Sequence, residues 1–136
     1  MIAPSPILVD TSVWIDFFSR SPGPAGNKLR LLIQDAAPLA LAGIIVTAIL
    51  QGLTRDAERI ENYLSQWGIL EPEGLGTYLQ AAGISRLARS KGVAITTVDA
   101  LIASLAVDHG VRLFTLDKDF LNLARVIPLE LFLSDS

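Results

Sequence analysis

Short apolar runs alternate with longer helical segments along the whole chain, and that alternation restricts its fold more than any other feature. "PILVD" reads as a buried strand over Ile7–Val9, and "PLALA", "GILEP", "VRLFTL" and a stretch near "VIPLELF" read as further strands. Helical patterns lie between them. "SVWIDFF" makes one, with Thr11 or Ser12 able to cap its start, and a second covers about residues 27–36 with Leu29, Leu32 and Ile33 on one face. "IIVTAILQG" stops at Gly52, and Ile60, Tyr63, Leu64 and Trp67 recur at helical spacing. The longest helix runs over residues 75–91, with Leu79, Ala82, Leu87 and Ala88 expected inward and Gly92 as its stop. Helices over about 98–109 and at "DKDFLNLA" complete the series. Strands alternating with helices imply an α/β fold: a parallel sheet of four to five strands, flanked by helices on both faces.

The acids take their meaning from that frame. Ligand chemistry in such sheets gathers beyond the carboxyl ends of the strands. Asp10 ends the first predicted strand, Asp117 follows "RLFTL" with Asp119 two residues later, and Asp99 lies in the first turn of the "VDALIA" helix. Three chain segments can therefore point carboxylates into one crevice. Carboxylates that cluster repel unless a cation compensates them, and hard oxygen donors point to Mg²⁺ or Mn²⁺. Each acid taken alone also has a structural reading as a helix cap or loop residue, and the Asp117–Asp119 pair suits the start of a short helix.

Composition narrows the alternatives. Hydrophobic residues make up 51% of the 136 and charged residues 18%, which excludes a disordered chain and suits one domain over residues 1–136. Cysteine is absent, so thiolate metal sites and cysteine nucleophiles are excluded, and a reducing cytoplasm is the expected compartment. The single His109 reads as the end of a helix before Gly110. A net charge of −3 argues against a nonspecific nucleic-acid coater. The uncharged stretch between Asp35 and Arg55 is broken by Pro38, Gly43 and Gly52, so no membrane span is expected.

Taken together, "LVDTSVWIDFF", "TTVDALIASLA" and "LFTLDKDF" resemble the three motifs of a PIN-domain ribonuclease, most of all the VapC-type toxins of bacterial toxin–antitoxin pairs. "ILQGL" and "AAGISRLARSKG" fit as well, and the likeness runs from about Ile7 to Phe120. It implies an Mg²⁺- or Mn²⁺-dependent endoribonuclease of a type II toxin–antitoxin system, a homodimer held inactive by a VapB-type antitoxin. Asp10, Asp99 and Asp117 match the family's metal-binding acids, Asp119 an additional acid, and Ser12 and Thr115 hydroxyl positions that line the site. One departure matters. The family's "TEILQG" reads "TAILQG" here, so Ala48 stands at the expected catalytic Glu position and the activity should be attenuated or lost. With the other acids intact, replacement of that Glu fits better than general decay of the site.

Arg86, Arg89 and Lys91 form the best local basic cluster for an RNA backbone, and Arg112 and Lys118 are expected to flank the acidic crevice. Trp14 and Trp67 sit among apolar neighbours and read as core or interface residues rather than base-stacking platforms. Two other function classes compete: a non-catalytic PIN-fold protein that binds and sequesters an antitoxin, and a phosphotransfer protein using a strand-end Asp. The latter leaves Asp99 without a role.

Overall fold

The computed structural model describes residues 5–133. Among these residues four strands are present, β1 (Ile7–Val9), β2 (Leu39–Ala42), β3 (Gly68–Leu70) and β4 (Arg112–Phe114). They form one parallel sheet in the order β3-β2-β1-β4. β1 and β2 are buried at every residue, because the helices cover the sheet on both faces and leave no place for a polar side chain in the central strands.

The chain leaves β1 through α1 (Thr11–Phe18) and α2 (Pro24–Gln34) and enters β2 on one side. It continues through α3 (Gly43–Gln51), α4 (Ala57–Leu64), β3, α5 (Leu75–Ser90) and α6 (Thr97–His109) before β4 pairs with the other side of β1. The strand order therefore reverses at β1, which opens a crevice beyond the carboxyl ends of β1 and β4. A short α7 (Lys118–Leu123) follows β4 at that edge.

Leu8, Val9, Val13, Trp14, Leu29 and Leu113 lie at the centre of the core. Trp14 is fully buried and Trp67 packs against the same core, within an aromatic cluster that includes Phe17, Phe18 and Tyr63. The core reading of both tryptophans holds.

Two expectations about elements change. The run near "VIPLELF" is not a fifth strand but one parallel bridge, Leu113 with Leu131. Leu113 N–H donates to the Glu130 carbonyl at 2.9 Å and Phe132 N–H to the Leu113 carbonyl at 2.8 Å. Pro128 has no N–H to extend the ladder toward its start. In α5, Leu79 is 62% exposed, Leu87 is 42% exposed and Ala82 also faces out, leaving Ala88 as the one residue of that expected face turned inward. The inward stripe is Thr77, Ala81, Ile84 and Ala88. Its small and polar residues let α5 approach α6 and bond to it. Thr77 Oγ1 donates to Asp108 at 2.7 Å, Ser104 Oγ donates to the Thr77 carbonyl at 2.8 Å, and the Gln80 amide donates to both Ser104 and Asp108. Buried polar groups need such partners, and here they set which face of the helix turns inward.

The loop before α2 is held by Asp16, whose carboxylate accepts the N–H groups of Gly23 at 3.0 Å and Gly26 at 2.7 Å. A Cβ on Gly26 would stand 2.8 Å from the Phe17 nitrogen, so only glycine allows this approach of α2 to α1.

Candidate metal centre

Asp10 is fixed from both sides of the crevice. Its N–H donates to the Phe114 carbonyl at 2.9 Å, which ties the end of β1 to the end of β4. The side chain is only 6% exposed. A buried carboxylate requires donors, and Oδ2 accepts two: Ser12 Oγ at 2.9 Å and Thr115 Oγ1 at 2.8 Å. None of the hydrogen bonds among the described residues uses Oδ1, and that atom is not sealed from solvent.

The same two hydroxyls accept backbone N–H groups from the β4–α7 turn, Leu116 to Ser12 and Asp117 to Thr115, each at 3.0 Å. Ser12 and Thr115 thus join the first acid-bearing segment to the last. Neither Thr11 nor Ser12 caps α1 as the sequence suggested. The N-cap position belongs to Asp10, and Ser12 turns its hydroxyl to that carboxylate instead. A charged acceptor makes the stronger hydrogen bond.

Asp99 stands at the third position of α6 in a capping box with Thr96. Asp99 N–H donates to Thr96 Oγ1 at 3.1 Å, and Thr96 N–H donates to the Asp99 carboxylate at 3.4 Å. The Asp99 carboxyl is pushed above the usual carboxylate range, first by burial and further by the charges of Asp117 and Asp10. The Thr96 bonds pull the other way. Asp117 is the N-cap of α7, and its Oδ1 accepts the Asp119 N–H at 2.9 Å. Its capping role and its place among the acids are compatible, since one carboxylate carries two oxygens.

Asp99, Asp117 and Asp119 each bring one carboxylate oxygen within 4.8 Å of the others. Asp10 lies outside that tight trio but close enough to act on Asp99 by charge. Among the described residues the single ion pair is Arg59 with Asp56 at 3.2 Å, far along the chain, so no lysine or arginine is ion-paired to the cluster. Oxygen donors gathered without a protein counter-ion fit a hard divalent cation.

The remaining candidates fall in different places. Lys118 is exposed at the first position of α7, between two of the acids. Arg86 and Arg89 line a groove with Tyr78 and Thr97, beside the start of α6. Lys91 lines a cleft that includes Asp119. Arg112 does not flank the crevice. It pairs with Ile7 at the amino end of β4, the opposite edge of the sheet, and its guanidinium lies 5.3 Å from the centre of the Phe132 ring. Ala48 is half-buried on α3, the helix that leaves the carboxyl end of β2 and packs on α1. His109 ends α6 before Gly110, and its Nε2 is 2.9 Å from the Glu71 carbonyl, away from the acids. Thr96 was not singled out from the sequence, although the spacing Thr-x-x-Asp in "TTVD" carries the capping-box signal.

Residues 7–126 match the family model of the PIN domain. The chain is 36% identical over 131 residues to Ribonuclease VapC11 of Mycobacterium tuberculosis (strain ATCC 25618 / H37Rv), a match covering 91% of this chain and 96% of that protein. Its fold is similar to a chain of VapBC-1 from nontypeable Haemophilus influenzae, with a TM-score of 0.74 and 17% identity over 96% of this chain and 98% of that one. It is also similar to a chain of VapBC2 from Rickettsia felis bound to a promoter DNA fragment, with a TM-score of 0.70 and 20% identity over 93% and 96% of the two chains.

Proposed function

Because the chain belongs to the PIN-domain family, on its VapC branch, we propose that it is a metal-dependent endoribonuclease toxin of a type II toxin–antitoxin pair, attenuated in this copy at Ala48. The observation that carries the reading is the convergence of Asp99, Asp117 and Asp119 beside Asp10, none of them ion-paired to a lysine or arginine among the described residues. Asp10, Asp99, Asp117 and Asp119 are the residues that would hold Mg²⁺ or Mn²⁺. When bound, such an ion orients the scissile phosphate, lowers the pKa of a water and steadies the leaving oxygen.

The chain's own residues prepare that chemistry. Ser12 and Thr115 occupy Oδ2 of Asp10 and so fix the direction of Oδ1. The α6 capping box does the same for Asp99, and Asp117 is oriented by its bond to the Asp119 N–H. Arg86, Arg89, Lys91 and Lys118 are the proposed contacts to RNA phosphates; each cation adds salt-dependent affinity. Ala48 offers a methyl group where the family's Glu would add a charge and coordinating oxygens.

The natural partner is a VapB-type antitoxin, in line with the VapBC assemblies whose toxin-like chains share this fold. No helix of the described residues is long and apolar enough to cross a membrane, and cytoplasmic action on RNA is the proposed setting. The outward apolar side of α5, with Leu75, Tyr78, Leu79 and Leu87 exposed, supports a homodimer. Sedimentation at micromolar concentration should show twice the chain mass without antitoxin; the monomer alone would count against it.

Ala48 also favours a second reading, a PIN-fold protein that binds the antitoxin without cutting RNA. Sequencing of RNA ends separates the two after incubation with an Ala48→Glu variant. Internal cuts with Mg²⁺ or Mn²⁺ and none in EDTA are expected of the enzyme. An inactive variant that still binds antitoxin would establish the binder.

A further inference from the structure

On its Asp119 side the carboxylate cluster opens into a cleft of about 530 Å³, lined by Lys91, Asp119, Asn122 and Arg125 among others. Two helix ends build it. α5 closes with Lys91 as its C-cap and Gly92 turns the chain away at φ 77°, while α7 ends just before Arg125, whose N–H donates to the Asn122 carbonyl at 3.2 Å. We propose that this cleft binds a backbone phosphate of the RNA strand adjacent to the one held at the acids, with Lys91 and Arg125 as its cations and the Asn122 amide as a neutral donor. The proposal rests on the ribonuclease reading and extends it to Asn122 and Arg125, neither of which the sequence had marked.

Three observations support it. Asp119 belongs both to the carboxylate trio and to the cleft wall, so a phosphate seated here lies next to the reacting position along the strand. Among the described residues neither Lys91 nor Arg125 forms an ion pair, although Asp119 lines the same cleft, so neither cation is tied to a carboxylate there. The donor types also suit a phosphate: the planar guanidinium can present two N–H groups to two oxygens, and the ammonium supplies a point charge. A cation at a helix C-terminus also offsets the helix dipole. That accounts for Lys91 or Arg125 singly, but not for their sharing an open cleft that leads to Asp119.

The test uses the whole chain and a short fluorescein-labelled single-stranded RNA, titrated in Ca²⁺ buffer over a range of salt concentrations. Lys91→Gln, Arg125→Gln and the double substitution are compared with the unaltered chain. Each lost phosphate contact should make the slope of log affinity against log salt less negative by about 0.7, and the double substitution by about 1.4. Thermal unfolding should fall only slightly, by the loss of a screened helix-end charge, since both side chains are exposed. Unchanged slopes with normal RNA binding would overturn the role of the cleft alone. So would slopes that change for a polyglutamate peptide but not for RNA, which would assign the cleft to an acidic protein. Failure of the unaltered chain to bind RNA would overturn the ribonuclease reading, and this role with it.

Discussion

Replacing Ala48 by Glu should raise Mg²⁺-dependent RNA cleavage by at least about 10–100-fold. Partners one shell beyond a metal are already worth roughly that much in affinity or activity, and a direct ligand should be worth no less. Ala48 lies half-buried on the helix that follows β2 and packs on α1, which begins directly after Asp10. The metal-free protein should respond in the opposite direction. A further carboxylate adds repulsion to an uncompensated acidic group, whereas alanine is a good helix former. The Ala48 chain should therefore unfold in EDTA at a temperature no lower than its Ala48→Glu counterpart. Paired cleavage rates and thermal melts check both halves. Equal cleavage would remove position 48 from the catalytic set, and a marked loss of metal-free stability in the Ala48 form would give the Glu a structural role.

Asp99→Asn, made together with Ala48→Glu, should abolish most of the restored cleavage, a loss of at least about 10–100-fold, while stabilising the metal-free fold at neutral pH. Burial and the charges of Asp117 and Asp10 raise the Asp99 carboxyl above its ordinary value. A group raised on folding contributes stability that is fully present below its unfolded pKa, about 3.9 for Asp. That contribution is lost as pH rises through the folded value, because ionisation then costs the folded state more than the unfolded one. Asparagine cannot ionise, and its side-chain oxygen can still accept the Thr96 N–H. The gain in unfolding temperature should thus be present at pH 7 and shrink as pH falls through the carboxylate range. Melts in EDTA at several pH values measure it, and a variant less stable than its parent at pH 7 would show that the Asp99 charge supports the fold.

The parts of the fold legible in the sequence are those set by continuous apolar runs. Each observed strand lies within such a run, and Asp10 and Asp117 follow β1 and β4 closely enough that the reversal of strand order brings them to one edge. Legibility failed where a partner, not the local pattern, decides the outcome. Leu79 and Leu87 look like core residues until α6 supplies Ser104 and Asp108 for Thr77 and Gln80 to bond, which turns the smaller residues inward. Arg112 is near Asp117 in sequence, but a strand separates its two ends, and Arg112 sits at the wrong one. The role of Asp16 drew no reading from the sequence, because its partners are two backbone N–H groups across a loop. The hydroxyl bridge through Ser12 and Thr115 rested on resemblance alone, and the geometry supplies its physical reason: one buried carboxylate needing two donors.

The central claim is that these acids form one divalent-cation site, and Mn²⁺ binding followed by the electron paramagnetic resonance signal of the free ion tests it most directly. The comparison is between the Ala48→Glu variant and the same variant carrying Asp117→Asn. Saturable binding is predicted in the first, weakened by at least about 10-fold in the second. Absence of saturable binding, or equal affinity in the two proteins, would contradict it.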